Sequence, residues 1–257
     1  MSLGKPIFSS MQPPYGDGMA GLEEGLWDRI KDEIEELSRK GCYESVSNAL
    51  SLYIAPKLRV LAAALLGYGR RAPLRILDVG CGPGTSTVVL RALYPEAEVL
   101  AIDPASFNLL AAKRRVREPS GCVQAVFESL PFPDSTFDGL VAMFSFRDVS
   151  SYLRALDEAR RVLRPDGRLV ILDLYRPEDP LELVASIGHF RVIGPILGLA
   201  YGCGLDGLKF ADIYHTVMRM MTPSELVREA RRRFRRAAFV KTPLLAGILT
   251  AEGPRPS

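Results

Sequence analysis

The sequence predicts an α/β protein: a doubly wound, mostly parallel, seven-stranded sheet with a helical lid at the N-terminus and an insertion after strand five. Two observations carry this. First, short apolar runs alternate with amphipathic helical segments from residue 74 to residue 174. Second, the run Ile76 to Val79 opens a turn with glycines at Gly80, Gly82 and Gly84, and a helix-like segment follows, Thr85 to Tyr94. Such runs read as strands buried on both faces. The glycine turn then marks the carboxyl end of a strand in an open sheet, where these folds bind ligands.

Each element follows in order. Residues 1–20 read as a mobile arm. Gly21 to Lys40 carries Leu22, Leu26, Ile30, Ile34 and Leu37 at helical spacing, a helix packed on the sheet or a lid. Pro56 to Leu66 forms the helix before the central strand. Val99 to Ile102 is strand two, Phe107 to Val116 a helix, Cys122 to Phe127 strand three and Phe137 to Phe144 strand four. Ser150 to Leu163 is a helix with Leu153, Leu156, Ala159 and Val162 on one face. Pro165-Asp166-Gly167 is a turn, with Gly167 supplying positive φ, and Leu169 to Leu174 is strand five. Pro177 to Thr222 breaks the rhythm as an apolar, glycine-rich insertion. His189, Arg191 and the prolines argue against a membrane span there. Pro223 to Phe234 is a last helix, with a plausible cap at Thr222, and Ala237 to Lys241 with Leu245 to Ala251 form a closing antiparallel hairpin. The expected division is 1–66 for arm and lid and 67–257 for the sheet domain, with 177–222 as an acceptor-side insertion.

Composition narrows function. A net charge of +3 over 257 residues is too small to imply nucleic acid by itself. Charged residues at 25% and hydrophobic ones at 47% are ordinary for a globular protein. Cys42, Cys81, Cys122 and Cys203 are widely spaced, without a Cys-x-x-Cys pair or a histidine cluster, so no metal site is expected and the cysteines read as reduced, in a cytoplasmic protein. The N-terminus shows no charged-then-apolar leader pattern.

The glycine turn fits neither common nucleotide loop. The dinucleotide fingerprint needs glycine or alanine where Thr85 stands, and a phosphate-cradling loop needs a lysine that is absent. What remains is Asp78-x-Gly80-x-Gly82-x-Gly84, with Asp103 closing the next apolar run. Glycines there let a ligand lie against main chain, and Thr85 or Ser86 can cap the helix beyond. A carboxylate at the tip of strand two suits a ribose diol.

With these residues the chain resembles the class I S-adenosylmethionine-dependent methyltransferases, which share a Rossmann-like fold. Within them it is similar to the ubiquinone/menaquinone C-methyltransferases, through Val123-Gln124-Ala125, Glu128-Ser129-Leu130-Pro131-Phe132-Pro133-Asp134, Phe137-Asp138, Phe144-Ser145-Phe146-Arg147-Asp148-Val149 and Arg161 to Leu169. The resemblance implies S-adenosylmethionine as cofactor and S-adenosylhomocysteine as product. It implies that Gly80, Cys81, Gly82 and Gly84 border the methionine part, above Asp78. Asp103 would take the ribose hydroxyls and Pro104 the adenine edge. Val126 and Phe127 would flank the adenine, Val126 standing where most relatives have Asp or Asn. The Met143-Phe144 backbone would complete the pocket, and Tyr43 would help cover it.

Arg147 falls at the family's arginine, expected to stabilise a phenolate-like acceptor; an ordinary ion pair with Asp148 is the alternative. His215 is a second base candidate. The acceptor expected is small, apolar and aromatic, a polyprenyl quinol precursor first, with peripheral membrane contact. An oxygen- or nitrogen-methylating enzyme, an RNA-modifying or RNA-binding protein using Arg228 to Arg236, and an inactive partner subunit stay open.

Overall fold

The structure, a computed structural model, describes residues 42–69, 73–116 and 121–256. The expected helix Gly21 to Lys40 lies outside them. The described chain opens with α1 (Cys42–Leu50) and α2 (Ala55–Ala64). It continues with β1 (Arg75–Val79), α3 (Thr85–Leu93), β2 (Glu98–Asp103), α4 (Ser106–Val116), β3 (Cys122–Gln124) and β4 (Phe137–Met143). A short turn of helix (Phe146–Asp148), α5 (Tyr152–Val162) and β5 (Leu163–Leu174) follow. The insertion holds α6 (Pro180–Ile187), a wider helical turn (Gly188–Ile193), α7 (Gly194–Ala200), a tighter one (Gly204–Asp212) and α8 (Ile213–Arg219). The chain closes with α9 (Pro223–Arg233), β6 (Phe234–Lys241) and β7 (Ala246–Pro254).

The sheet has seven strands in the order β3-β2-β1-β4-β5-β7-β6, and β7 is antiparallel to both its neighbours. Val79 pairs with Ile102 and with Ala142, so the carboxyl ends of β1, β2 and β4 share one edge. The strand order reverses between β1 and β4, and that crevice is where open α/β sheets take ligands. Alternate residues face opposite layers. Leu77, Leu140, Leu169 and Ile171 pack with Leu156 and Phe146 on one side, while Ile76, Val141, Val170 and Leu172 pack with Leu66 and Leu90 on the other. A third apolar cluster lies apart from the sheet. It joins Val46 and Leu50 of α1 to Phe190, Phe210, Ile213 and Val217 of the insertion.

Several local expectations need correction. β3 ends at Gln124; Val126 and Ser129 form an isolated bridge instead. Leu153 is 44% exposed, and Ala155 takes its place on the buried face of α5. Gly167 is not among the residues at positive φ. It is needed because a Cβ there would come within 2.8 Å of the Arg164 carbonyl oxygen, where β5 bulges against β4. Neither Thr85 nor Ser86 caps α3: the N-cap is Gly84, at φ +86°. At α9 the Thr222 cap is present as a full capping box with Glu225.

Two corrections concern larger features. Cys42 and Cys203 are joined by a disulfide, because folding brings positions 161 residues apart to a Cα–Cα distance of 5.7 Å, inside the normal range. Spacing in sequence carries no sign of this. And His189, Arg191 and the prolines do not interrupt the insertion's first helix. Pro180–Ala200 is a continuous helical run of 21 residues, and its most apolar 18-residue stretch has a mean hydropathy of 1.6, with 28% of that stretch buried. Among the described residues it is the one helix long and apolar enough, by length and composition, to cross a membrane.

The middle of the arginine run, Arg231 to Arg233, is engaged by local acids and carbonyls, while Arg235 and Arg236 are exposed. Arg233 makes a two-pronged contact with Asp157 and a further one with Glu229, Arg232 pairs with Glu229, and Arg231 donates to the Ala237 carbonyl. Likewise Arg161 fastens the Leu-Pro-Phe-Pro-Asp segment, donating to the carbonyls of Leu130 and Phe132 and to Asp134.

Candidate active site

The glycine turn is built by three different constraints. All three glycines have positive φ, +67°, +53° and +86° for Gly80, Gly82 and Gly84. A Cβ on Gly80 would overlap Ser145, at 2.3 Å from its Cβ, and one on Gly84 would press on Ala112. A Cβ on Gly82 would meet nothing within 4 Å. Gly80 and Gly84 are therefore glycines because protein fills the space; Gly82 borders open space at the crevice. Cys81 turns inward, its side chain buried against Ala101, Leu109 and Ala112, so it offers the crevice only backbone.

Asp78 lies under the turn, fully buried, and accepts hydrogen bonds from the hydroxyls of Ser86 (2.8 Å) and Thr87 (2.6 Å). Burial pushes its carboxyl up to about 6, against the pull of those hydroxyls. The unfolded value is about 3.9, so the native state holds the proton more tightly. Stability attributable to Asp78 is then present at low pH and is lost as pH rises from about 4 to about 6. The loss is roughly 3 kcal/mol at neutral pH, at about 1.4 kcal/mol per unit. Asp78→Asn is expected to flatten stability against pH over that window, measured by urea unfolding at stepped pH. An unchanged slope contradicts the assignment.

Asp103 stands at the tip of β2. One carboxylate oxygen accepts the Gly82 N–H at 2.8 Å; the other accepts from the Ala105 N–H (2.9 Å) and the Asn108 side chain (3.0 Å). Burial raises its carboxyl above the ordinary range. The carboxylate thus bridges β2 to the glycine turn, and a diol bound to it would share or displace the Gly82 bond. Pro104 is exposed beside it, its carbonyl accepting from Gln124. Val126 is half-buried. Phe127 does not present its ring to the crevice: it is buried in the core, edge-on to Phe146 at 5.9 Å. Tyr43 belongs to α1 by its backbone, but its side chain lies outside the described residues.

The end of β4 is the most constrained part of the site. Met143 is buried. Phe144 holds φ +62°, rare for a bulky residue, with the Arg59 guanidinium 4.9 Å from its ring centroid. Its strained carbonyl accepts from Arg147 Nη1 at 3.1 Å. Ser145 donates to the Val79 carbonyl at 2.7 Å, tying this turn to β1.

Arg147 is buried, and its main partner is Asp173 at the end of β5. Nη1 donates to Oδ1 at 2.8 Å, and the Arg147 backbone N–H donates to Oδ2 at 3.0 Å. Asp148 lies farther from the guanidinium, at 3.7 Å. The alternative contact with Asp148 is thus present, but the closer pair is a buried one with a different acid. Asp173 was missed, though it shows the same signal as Asp78 and Asp103: an acid closing an apolar strand.

His215 is not brought to this cluster. It lies on the exposed side of α8, with Nε2 3.9 Å from Asp212. The helix it sits on does reach the site, because Arg219 donates to the carbonyls of Val149 and Ser150.

Strand order, glycine turn and acid-tipped strands together allow comparison with known proteins. A methyltransferase domain family matches residues 77–171. The demethylmenaquinone methyltransferase of Thermus thermophilus is 39% identical over 133 residues, covering 50% of this chain and 60% of that protein. The chain thus spans under two thirds of that relative's length. That of Staphylococcus aureus is 31% identical over 216 residues, covering 83% and 86%. A SAM-dependent methyltransferase of Aquifex aeolicus shares the fold, with a TM-score of 0.51 at 19% identity over 74% of this chain and 87% of that one. The matched family and the relatives define a class I S-adenosylmethionine-dependent methyltransferase. Within that class the chain belongs to the ubiquinone/menaquinone C-methyltransferase family, which includes the demethylmenaquinone methyltransferases.

The residues present fit this cofactor. At Gly82 a Cβ would meet no protein atom within 4 Å, so the main chain there is open to a ligand, and the Asp103 carboxylate accepts the Gly82 N–H beside it.

Proposed function

We propose that the chain methylates a ring carbon of a small, apolar, aromatic acceptor, a polyprenyl quinol precursor of the demethylmenaquinone type. S-adenosylmethionine, when bound, supplies an electrophilic methyl group on a sulfonium. The chain's own residues orient and exclude water. The glycine turn and Asp103 hold the donor at the crevice, and the apolar insertion dries and shapes the acceptor side. The observation that carries the reading is Arg147. It is a buried cation fixed at the carboxyl edge of the sheet by Asp173 and the Phe144 carbonyl. A guanidinium stays charged, so it stabilises a phenolate and raises electron density at the ortho carbon. Arg147→Lys keeps a cation beside Asp173 but loses the planar fork. Its turnover is expected to fall about 100-fold, with calorimetric affinity for S-adenosylmethionine unchanged. Wild-type turnover would overturn this role.

An acceptor of this kind is carried in lipid, and the reading makes the protein a cytoplasmic enzyme with peripheral membrane contact. The Pro180–Ala200 run supports it, since Leu181 is 80% and Val184 67% exposed. The protein is expected to sediment with phospholipid vesicles, and Leu181→Glu/Val184→Glu to stay in the supernatant. A variant that still sediments with them contradicts the assigned face.

A further inference from the structure

We infer that the Cys42–Cys203 disulfide is a redox-operated clasp that keeps α1 seated on the insertion, whose elements reach the Arg147 turn. The inference does not depend on the proposed acceptor.

α1 has nine residues, too few to persist as a helix without tertiary support. Its support comes from the insertion. Val46 and Leu50 pack on Phe190, Phe210 and Val217, and the Tyr53 hydroxyl meets that of Tyr201 at 2.8 Å. His189 bonds to the Leu50 backbone. The disulfide closes the other end of the helix, at its first residue. Immediately beyond α1 the chain passes through Leu52 and Tyr53, both at positive φ, +48° and +59°. Two successive non-glycine residues in that region are strained, and such strain persists only where the surroundings impose it. α1 is thus a short helix, clasped at its start and followed by a strained turn.

This apolar cluster continues towards the Arg147 turn. Leu174 at the end of β5 packs against it, as does Leu245 just before β7, and Leu174 adjoins Asp173. α8, which supplies Ile213 and Val217 to the cluster, also carries Arg219, bonded to the Val149 and Ser150 carbonyls just past Arg147. Opening the clasp therefore loosens elements that rest on the Arg147 turn.

The chemistry is thiol–disulfide exchange. A dithiol reductant attacks one sulfur as thiolate, forms a mixed disulfide, and is released as its own disulfide by its second thiol. Two electrons and two protons end on Cys42 and Cys203 as thiols. A disulfide oxidant such as oxidised glutathione reverses the step. Both cysteines are buried, at 8% and 4% exposure, so exchange proceeds through local opening of α1.

The test uses the full chain without cofactor or acceptor, equilibrated in glutathione buffers from oxidising to reducing. Denatured and alkylated, the oxidised form should label only Cys81 and Cys122, and the reduced form all four cysteines. By hydrogen exchange, residues 42–50 should exchange about tenfold faster in the reduced form, with β1 and β4 unchanged. Cys42→Ser/Cys203→Ser should match the reduced form and ignore the buffer, while Cys122→Ser should respond as wild type. Alkylation of all four cysteines in every buffer overturns the inference, as does equal exchange of residues 42–50 in both forms. Neither readout needs methyl transfer, so its failure would leave the proposed activity standing, and the reverse also holds.

Discussion

Asp173→Ala is expected to destabilise the protein by about 3–5 kcal/mol, the usual result of breaking a buried ion pair by removing one member. Arg147 and Asp173 have side chains only 6% and 2% exposed. The Asp173 carboxylate accepts the Arg147 guanidinium, the Arg147 backbone N–H and the Leu174 N–H. Without it a buried cation loses its acid at 2.8 Å, the Asp148 carboxylate standing farther off at 3.7 Å, and two backbone donors lose their acceptor. Arg75 and Glu98 form an ion pair of the same length, 2.8 Å, but at 40% and 52% exposure. Glu98→Ala should therefore cost under about 1 kcal/mol. Urea unfolding of both variants checks the contrast. Equal losses would mean that the Arg147 pair is not the buried brace between β4 and β5 described above.

Gly82→Ala and Gly80→Ala are expected to separate binding from stability. Both positions hold positive φ, which costs an alanine about 1–2 kcal/mol. At Gly80 the new methyl also overlaps Ser145, adding about 1–3 kcal/mol of overpacking. At Gly82 it meets no protein atom within 4 Å. Gly82→Ala should thus fold with a small loss, yet bind S-adenosylmethionine at least about 100-fold more weakly, near 2.7 kcal/mol, because the methyl stands where the ligand meets the main chain. Gly80→Ala should lose stability first. Calorimetric titration beside urea unfolding decides it. A Gly82→Ala protein that binds as the wild type does would mean that the ligand does not lie there.

Much of this architecture is legible in the sequence, and for a physical reason. Strands buried on both faces, such as Ile76 to Val79 and Phe137 to Met143, read as continuous apolar runs. The acids that end them stand out as polar residues next to core. What was not legible depends on distance in sequence. Asp173 and Arg147 meet because β4 and β5 are neighbours, and Cys42 and Cys203 because the insertion folds back on α1. Phe127 shows a further limit. Its place near the end of strand three was readable, but not that its ring packs in the core against Phe146. The helical run from Pro180 to Ala200 is not legible because Pro180 and Pro195 each fall in the first turn of a helical segment, where proline is tolerated. A wider turn then absorbs the middle.

The central claim is carbon methylation of a quinol-type acceptor. Its most direct test is to incubate the protein with S-adenosylmethionine carrying a ¹³C methyl group and a reduced prenyl naphthoquinol, and to read the product by NMR. The account predicts a methyl signal bonded to a ring carbon, appearing only with active protein. A methoxy signal, or no transfer to this acceptor, would contradict it.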